Sequence, residues 1–381
     1  MSGGGSPRLL VVTIDRLPAW ILPAYGSTWV STPALDALAA RGVTFDRLIA
    51  TGDDDLATLR DLGLAACAAE ATVVTDAPHV AAAAGGGDVR LVAAERAGAV
   101  AADPAATNLS RLMAAAGAAL AADRHPLVWV HAASLGVAWD APVEFREAYA
   151  DPEDPPPYAG VDVPEMPVHA DTDPDLVVGI RQAFAGQVTH LDACLGPLLE
   201  AAEGWQVLVA GVRGLGLGLH GRVGTGPLAP FGELVHLPAI LADAQGRMSA
   251  QRYGGLVVPS DLGATLAGPR GLPAATAAHA PAAGRSLAGL FAAWSMPARD
   301  RVVVAATHGA ALVTPAWHLV AEAGRPPRLY PKPDDYFELC DVADRCPAVV
   351  EELGPLAEAA VAGDVGPGWE TPLSAAATTA T

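Results

Sequence analysis

The chain has 381 residues, 51% hydrophobic and only 17% charged, which supports one large buried core and excludes an intrinsically disordered chain. Lys and Arg total 23 against 42 Asp and Glu, a formal charge of −19 that opposes nucleic acid and anionic lipid as partners. Any anionic ester would need a local positive site to overcome the same field.

Leu9–Ile14 (LLVVTI) is a continuous apolar run ending at Asp15, the pattern of a buried parallel strand. STPALDALAARG follows with a Ser/Thr start, a proline and helical periodicity, closing at Gly42. Further strands are expected at Ala71–Thr75, Val89–Ala94 and Leu127–His131, with a helix at Asn108–Ala121. Residues 151–175, rich in Pro and Asp, read as a surface excursion. A long amphipathic helix is expected over Asp175–Glu203, and Gln206–Val212 is the next buried strand. This alternation predicts a three-layer α/β/α sandwich over residues 1–285 with a large, mostly parallel central sheet. Beyond the Gly/Pro/Ala-rich stretch 268–285 the pattern shortens to strand-like pieces at Arg301–Ala306, Ala311–Val313, His318–Ala321 and Tyr336–Leu339, then a helix at Pro347–Ala362. Residues 286–381 therefore read as a small antiparallel sheet with one helix and a frayed tail, ETPLSAAATTAT.

The start, MSGGGSPRLLVVTID, lacks a basic region and a full apolar core, so neither a signal peptide nor a membrane span is expected and the cytoplasm is the default. Cys67, Cys194, Cys340 and Cys346 show no C-x-x-C spacing and read as reduced thiols, without a zinc or disulfide framework.

Gly216-Leu-Gly218-Leu-His220-Gly221 matches G-x-G-x-x-G, but RVGTGPLAPFG follows where a dinucleotide turn needs a helix to hold the pyrophosphate. A different resemblance covers most of the chain. RLLVVTIDRLPAWILPAYGSTWVSTPALDALAARGVTFDRLIAT resembles the opening of the sulfatases, in the alkaline phosphatase superfamily. LVWVHAASLGVAWDAPVEFREAYADPEDPP is similar to that family's W-V-H strand and proline loop. VTHLDACLGPLLEAAEGWQVLVAGVRGLGLGLHG resembles its L-D helix, next strand and D-H-G-E-x-L-G-E-H-G loop, while PFGELVHLPAIL, VPSDLGATLAG and FELCDVADRCPAVVEEL parallel later segments in the same order.

The resemblance implies a divalent metal held by an N-terminal Asp pair and a later D-H, a nucleophile in C/S-x-P-x-R, and Lys and His groups for the ester. Here Asp15 is followed by Arg16 where the second Asp belongs, and the D-H pair falls on Val212-Arg213. The nucleophile stretch reads TGDDDLATLR, placing Asp55 in the nucleophile position, Ala57 on the Pro, Thr58 on the Ser, and Leu59 or Arg60 on the Arg. The family's His falls on Gly136 and its Lys near Thr225, and no Cys stands where formylglycine would form.

Two readings follow. In one, the chain is a non-catalytic relative of the sulfatases that binds an anionic small molecule, a sulfated glycan or a protein partner in the old cleft, without a cofactor. There Arg213 lies in the metal's place and neutralises Asp15, with Arg16 as the other candidate partner. In the other, Asp15, Asp53–Asp55 and His220 form a rearranged ester hydrolase, with calcium or magnesium at Asp15. Asp53–Asp55 otherwise reads as loop charge capping the next helix, and His131 and His220 as hydrogen-bonded structure. His236 reads as packing, and Arg325, Arg328 and Lys332 as a solvated edge open to an acidic partner.

Overall fold

The computed structural model describes residues 8–85, 87–268, 284–293, 299–363 and 371–379. Most of the stretch 268–285 therefore lies outside the described residues. The strands are β1 (Leu9–Asp15), β2 (Val43–Ile49), β3 (Ala71–Thr75), β4 (Asp88–Leu91), β5 (Leu127–Ala132), β6 (Met166–Pro167), β7 (Gln206–Arg213), β8 (Gly216–Leu217), β9 (Arg222–Gly224), β10 (His236–Leu237), β11 (Ala239–Ala242), β12 (Gln251–Val257), β13 (Val302–Ala306), β14 (Gly309–Val313), β15 (Trp317–Ala321) and β16 (Arg328–Pro331).

The main sheet runs β12–β2–β11–β7–β1–β5–β3–β4, with β10 also paired to β2. Pairing is parallel among β7, β1, β5, β3 and β4 and between β12 and β2, and antiparallel where β10 and β11 join β2 and β7. Alternate residues of β1 enter opposite cores. Leu9 and Val11 pack on one face, and Leu10, Val12 and Ile14 pack on the other. A strand buried on both sides needs apolar residues at every position, which is why LLVVTI carries no polar alternation. The helices Asp55–Asp61, Pro78–Ala84 and Pro259–Ala267 contribute to the first core. Pro33–Ala40, Asn108–Ala122 and Pro174–Ala201 contribute to the second, which completes a three-layer α/β/α sandwich.

The long helix also holds its neighbour's end. Asp192, buried within it, accepts from the backbone N–H groups of Ala34 (2.9 Å) and Leu35 (2.8 Å), the first-turn donors of Pro33–Ala40. The local cap Thr32 makes no such bond, so a carboxylate from another element satisfies the otherwise unpaired donors.

The second sheet is antiparallel in the order β13–β14–β15–β16, with the helix Pro347–Val361 packed against it. Two sequence expectations fail here. Tyr336–Leu339 is not a strand; the fourth strand is Arg328–Pro331. Asp335 instead folds the former segment into a turn, accepting from the N–H groups of Leu339 (3.0 Å) and Cys340 (2.8 Å), while Glu338 adopts φ 52° and turns its carboxylate inward. A proline-flanked strand is tolerated because it pairs on one side only. Nor is the tail frayed throughout. Ser374 caps the short helix Ala375–Thr378, Ala377 is buried, and Trp317 Nε1 donates to the Ala376 carbonyl at 2.8 Å. The expected strand Val89–Ala94 is shorter and earlier, at Asp88–Leu91. Among the described residues, no helix is long and apolar enough to cross a membrane.

Replacing Asp192 by Ala should cost about 1–3 kcal/mol, because two buried donors lose their acceptor. Urea unfolding at pH 7 checks this, and Asp192→Asn should retain part of the loss-free state because its amide oxygen still accepts.

Candidate functional site

Ligand sites in parallel α/β sheets lie beyond the carboxyl ends of the strands. Here β1 ends at Asp15, β7 at Arg213 and β5 beside His131. The pairing of β1 with β7 slips at this edge: Ile14 faces Gly211, but Asp15 faces Arg213. The extra residue in β7 is Val212, which is fully buried in the core. This irregularity turns Arg213 toward Asp15 and directs Val212 inward, the re-aiming that a bulge provides.

Arg213 grips Asp15 with two arms, Nε to Oδ1 at 2.7 Å and Nη2 to Oδ2 at 2.9 Å. Asp15 is 2% exposed, so both its oxygens are committed away from water. Nη2 of Arg213 also lies 3.6 Å from Asp55, and Nη1 points at the Asp53 carbonyl at 3.5 Å. Burial lowers the guanidinium's pKa, yet Asp15, Asp55 and Asp54 outweigh it and the net shift is upward.

Arg16 adopts φ 61° and places Nε 3.7 Å from Asp15 and Nη1 3.8 Å from Glu165. Its side chain runs across Gly136: a Cβ there would come within 2.4 Å of Arg16 Nε. The turn carrying Gly136 is fixed by Asp76, which accepts from the N–H groups of Ala133 (2.7 Å) and Ser134 (3.0 Å). Burial pulls the Arg16 pKa down and the adjacent Arg213 adds to that, with Asp15 opposing.

Asp55 opens the helix Asp55–Asp61 and meets His79 Nε2 at 2.8 Å. Burial pushes its carboxyl up, but the His79 hydrogen bond and the charges of Arg213 and His79 reverse this, leaving it below the usual range. Asp54 is the helix cap, accepting from Ala57 N–H at 2.6 Å, and Asp53 accepts from Thr307 N–H at 3.0 Å. Thr58 is buried, with its hydroxyl bonded to the Asp54 carbonyl; Leu59 is core and Arg60 faces solvent. Thr225 bonds to Glu165 through both its N–H (3.0 Å) and its hydroxyl (3.2 Å), and Arg222 reaches the same carboxylate at 3.3 Å. Asp53, Asp54, Arg213, Thr225 and Thr307 line a cavity of about 280 Å³.

Asp15, Asp55, Arg16 and Arg213 therefore converge. His220 does not join them. It stacks on Phe231 with ring centroids 3.7 Å apart and hydrogen bonds to Glu233 (2.8 Å) and the Glu338 carbonyl (3.2 Å), linking three loops. His131 is fully buried, its Nδ1 3.1 Å from the Thr13 hydroxyl, and burial lowers its pKa to about 4. Arg325 and Arg328 pair with Glu322, while Lys332 pairs with the buried Glu338, so these side chains are largely engaged. Among the cysteines, Cys67 is buried and Cys340 exposed, and all four are unbridged. Two contributors escape the sequence reading, His79 and Glu165. His79 lies in the short helix Pro78–Ala84 after β3, and Glu165 sits inside the Pro-rich excursion, which β6 pins against β9. Among the described residues, no three His, Cys, Asp or Glu side chains are grouped as a metal site would require.

This geometry stands within a known fold. The chain is similar to the phosphonate monoester hydrolase of Agrobacterium radiobacter, with 16% identity and a TM-score of 0.71 over 92% of this chain and 94% of that one. A 2-O GAG sulfatase matches equally, at 16% identity and a TM-score of 0.71 over 99% and 98% of the two chains. A protein solved with its substrate D-glucosamine-2-N,6-O-disulfate matches at 11% identity and a TM-score of 0.68, over 94% and 98%. The fold is that of sulfatases and phosphonate monoester hydrolases. No protein-family model matches the sequence, and no curated protein does.

Arg213→Met should destabilise the protein by about 3–5 kcal/mol, because it strands a buried carboxylate. Arg213→Lys should lose less, and adding Asp15→Asn to Arg213→Met should restore much of the loss; urea midpoints at pH 7 measure all three.

Acid sensitivity follows from the two histidines that burial holds near pKa 4, His131 and His236. Their unfolded pKa is about 6.5, so the unfolded chain binds more protons between these values. Their contribution is complete above pH 6.5 and is lost as pH falls from 6.5 through 4. Stability should drop by roughly 1 kcal/mol per pH unit for each group across this window, and His131→Asn should flatten its share in urea titrations at pH 7, 5.5 and 4.5.

Proposed function

We propose that this sulfatase-fold chain does not hydrolyse sulfate or phosphate esters and acts by binding. The observation that carries this reading is the two-armed grip of Arg213 on Asp15. The resemblance puts metal ligands at positions 15, 16, 212 and 213, and three of these are now Arg16, Val212 and Arg213. A hard divalent cation takes six or more oxygen donors. Asp15 gives both of its oxygens to a guanidinium, Val212 is core, and two fixed positive charges face the same point. A divalent cation does not fit these residues, and we derive no step through one. The remaining machinery is equally displaced: Gly136 supplies no acid, Thr225 no cation, and Asp55 is a carboxylate that would meet an anionic ester with about 4 kcal/mol of repulsion at 4 Å and an effective dielectric near 20.

The binding role has a direction. Asp53 and Asp54 line the cavity, Glu165 holds its Thr225, and the Arg16, Arg213 and Arg222 charges are already shared with carboxylates. Of the occupants the sequence suggests, a protein partner offering backbone amides or a basic side chain suits this cavity better than a sulfated glycan or another anionic small molecule. The similarity to a structure holding a disulfated glucosamine keeps the glycan as the comparison to test.

One observation favours the second reading, a rearranged hydrolase. Asp55 and His79 form a carboxylate–imidazole pair at the nucleophile position, and His79 is half-exposed, as a general base needs. Thermal melting with millimolar calcium, magnesium, manganese or zinc, together with aryl sulfate, phosphate and phosphonate assays, separates the two. The binding reading expects an unchanged melting temperature and no turnover. A rise with metal excess, or turnover abolished by Asp15→Ala or His79→Ala, overturns it.

A further inference from the structure

A second cavity of about 380 Å³ lies where β2 and β12 meet the C-terminal sheet. It is separate from the cleft: Leu234 lines the cleft cavity, whereas the adjacent Val235 and His236 line this one. Its walls are mostly apolar, from Tyr25, Ile49, Val235, Val313 and Tyr336, and its size lies within the range that small-molecule sites occupy.

Three polar features of the wall are incompletely matched by protein. Arg47 donates from Nε to the Gly254 carbonyl (2.9 Å) and from Nη1 to the Pro315 carbonyl (2.8 Å), while Nη2 makes no hydrogen bond among the described residues. Among the described residues no carboxylate lies within ion-pair distance of Arg47, because its neighbour Asp46 pairs with Arg252 at 2.6 Å. The other cation, Lys332, is taken by Glu338. The wall thus holds Arg47, Arg252 and Lys332 against Asp46 and Glu338, and Arg47, bonded to two carbonyls, feels the Asp46 charge only beyond ion-pair distance.

His236 supplies the second feature. Its Nε2 lies 2.7 Å from the Asp46 carbonyl, an acceptor only, so Nε2 carries the proton. Burial lowers the pKa of His236 to about 4, so the ring is neutral at pH 7 and Nδ1 is an acceptor with no partner among the described residues. The third is Tyr336, whose hydroxyl is buried and has no partner among the described residues. The aromatic rings form an open frame, with His236 5.5 Å from Tyr336 and 6.2 Å from Tyr25 between centroids.

We propose that this cavity binds a small aromatic carboxylate bearing a hydroxyl or ring N–H, with its carboxylate on Arg47 Nη2, its donor on His236 Nδ1 and its ring between Tyr25 and Tyr336. A charge-assisted bond to a partly desolvated guanidinium supplies the affinity, and the flat apolar body fits the aromatic frame. An anion without such a body would leave the apolar walls unfilled, and a neutral aromatic would leave Arg47 unmatched. This site does not depend on whether the cleft is catalytic.

Isothermal titration calorimetry at pH 7 tests it with 4-hydroxybenzoate, benzoate, benzyl alcohol and sodium sulfate. Saturable one-to-one binding of 4-hydroxybenzoate is expected, with benzoate weaker, benzyl alcohol weaker by about tenfold or more, and no displacement by sulfate. Arg47→Met should weaken the acid by a similar factor, while Arg47→Lys should hold it within a few-fold. Arg47 also ties β2 to Gly254 and Pro315, so the methionine variant risks misfolding. In that event the wild-type ratio of acid to alcohol and the lysine variant decide. The absence of saturable binding by either acid, equal affinity for acid and alcohol, displacement by sulfate, or an unchanged affinity in folded Arg47→Met would each overturn the assignment.

Discussion

The organisation of the cleft depends on a buried carboxylate held by a two-armed guanidinium across an irregular strand pair. Asp15 ends the central strand, where a sandwich of this class gathers its chemistry, and a carboxylate so deeply buried requires a counter-charge. In a metal-dependent site that charge would be an exchangeable ion open to substrate. Here it is Arg213, part of the chain, committed by geometry to both oxygens. Around this pair, Arg16 takes a left-handed backbone and fills the space over Gly136, and Glu165 closes on Thr225 and Arg222.

A second buried carboxylate does comparable work at the junction of the two sheets. Glu338 accepts from the Gly232 N–H (3.1 Å), meets His318 at 3.2 Å and pairs with Lys332. Burial alone would raise its pKa, but the His318 hydrogen bond and charge, with Lys332, hold it near 2. Its backbone carbonyl receives His220 from the glycine-rich loop. The glycine-rich loop, the Phe231–His236 segment and the C-terminal sheet are therefore joined by one charged residue, which makes the loop part of the packing between sheets. The same segment divides the cleft cavity from the larger, mostly apolar one beside β2 and β12.

Where the sequence succeeded, the signal was local. Buried strands such as LLVVTI and ATVVT are continuous apolar runs because both faces are covered, and the long helix shows its apolar stripe over 28 residues. Where it failed, long-range partners overrode local pattern. Tyr336–Leu339 has the composition of a strand, but Asp335 and the inward turn of Glu338 make it a corner, while the proline-bounded RLYP segment finds an open strand edge. The tail looked featureless because its docking rests on a bond from Trp317, nearly sixty residues earlier.

The amino-acid order by itself determined the sandwich and the antiparallel appendage, because these rest on periodicity and on the length of apolar runs. Only the tertiary structure decided that Arg213 reaches Asp15 past a bulged Val212, that His79 meets Asp55, and that His220 faces Glu233 and Glu338 instead of the cleft. Such pairings join residues up to about two hundred positions apart, and their register turns on a single extra residue in a strand, which no local pattern records.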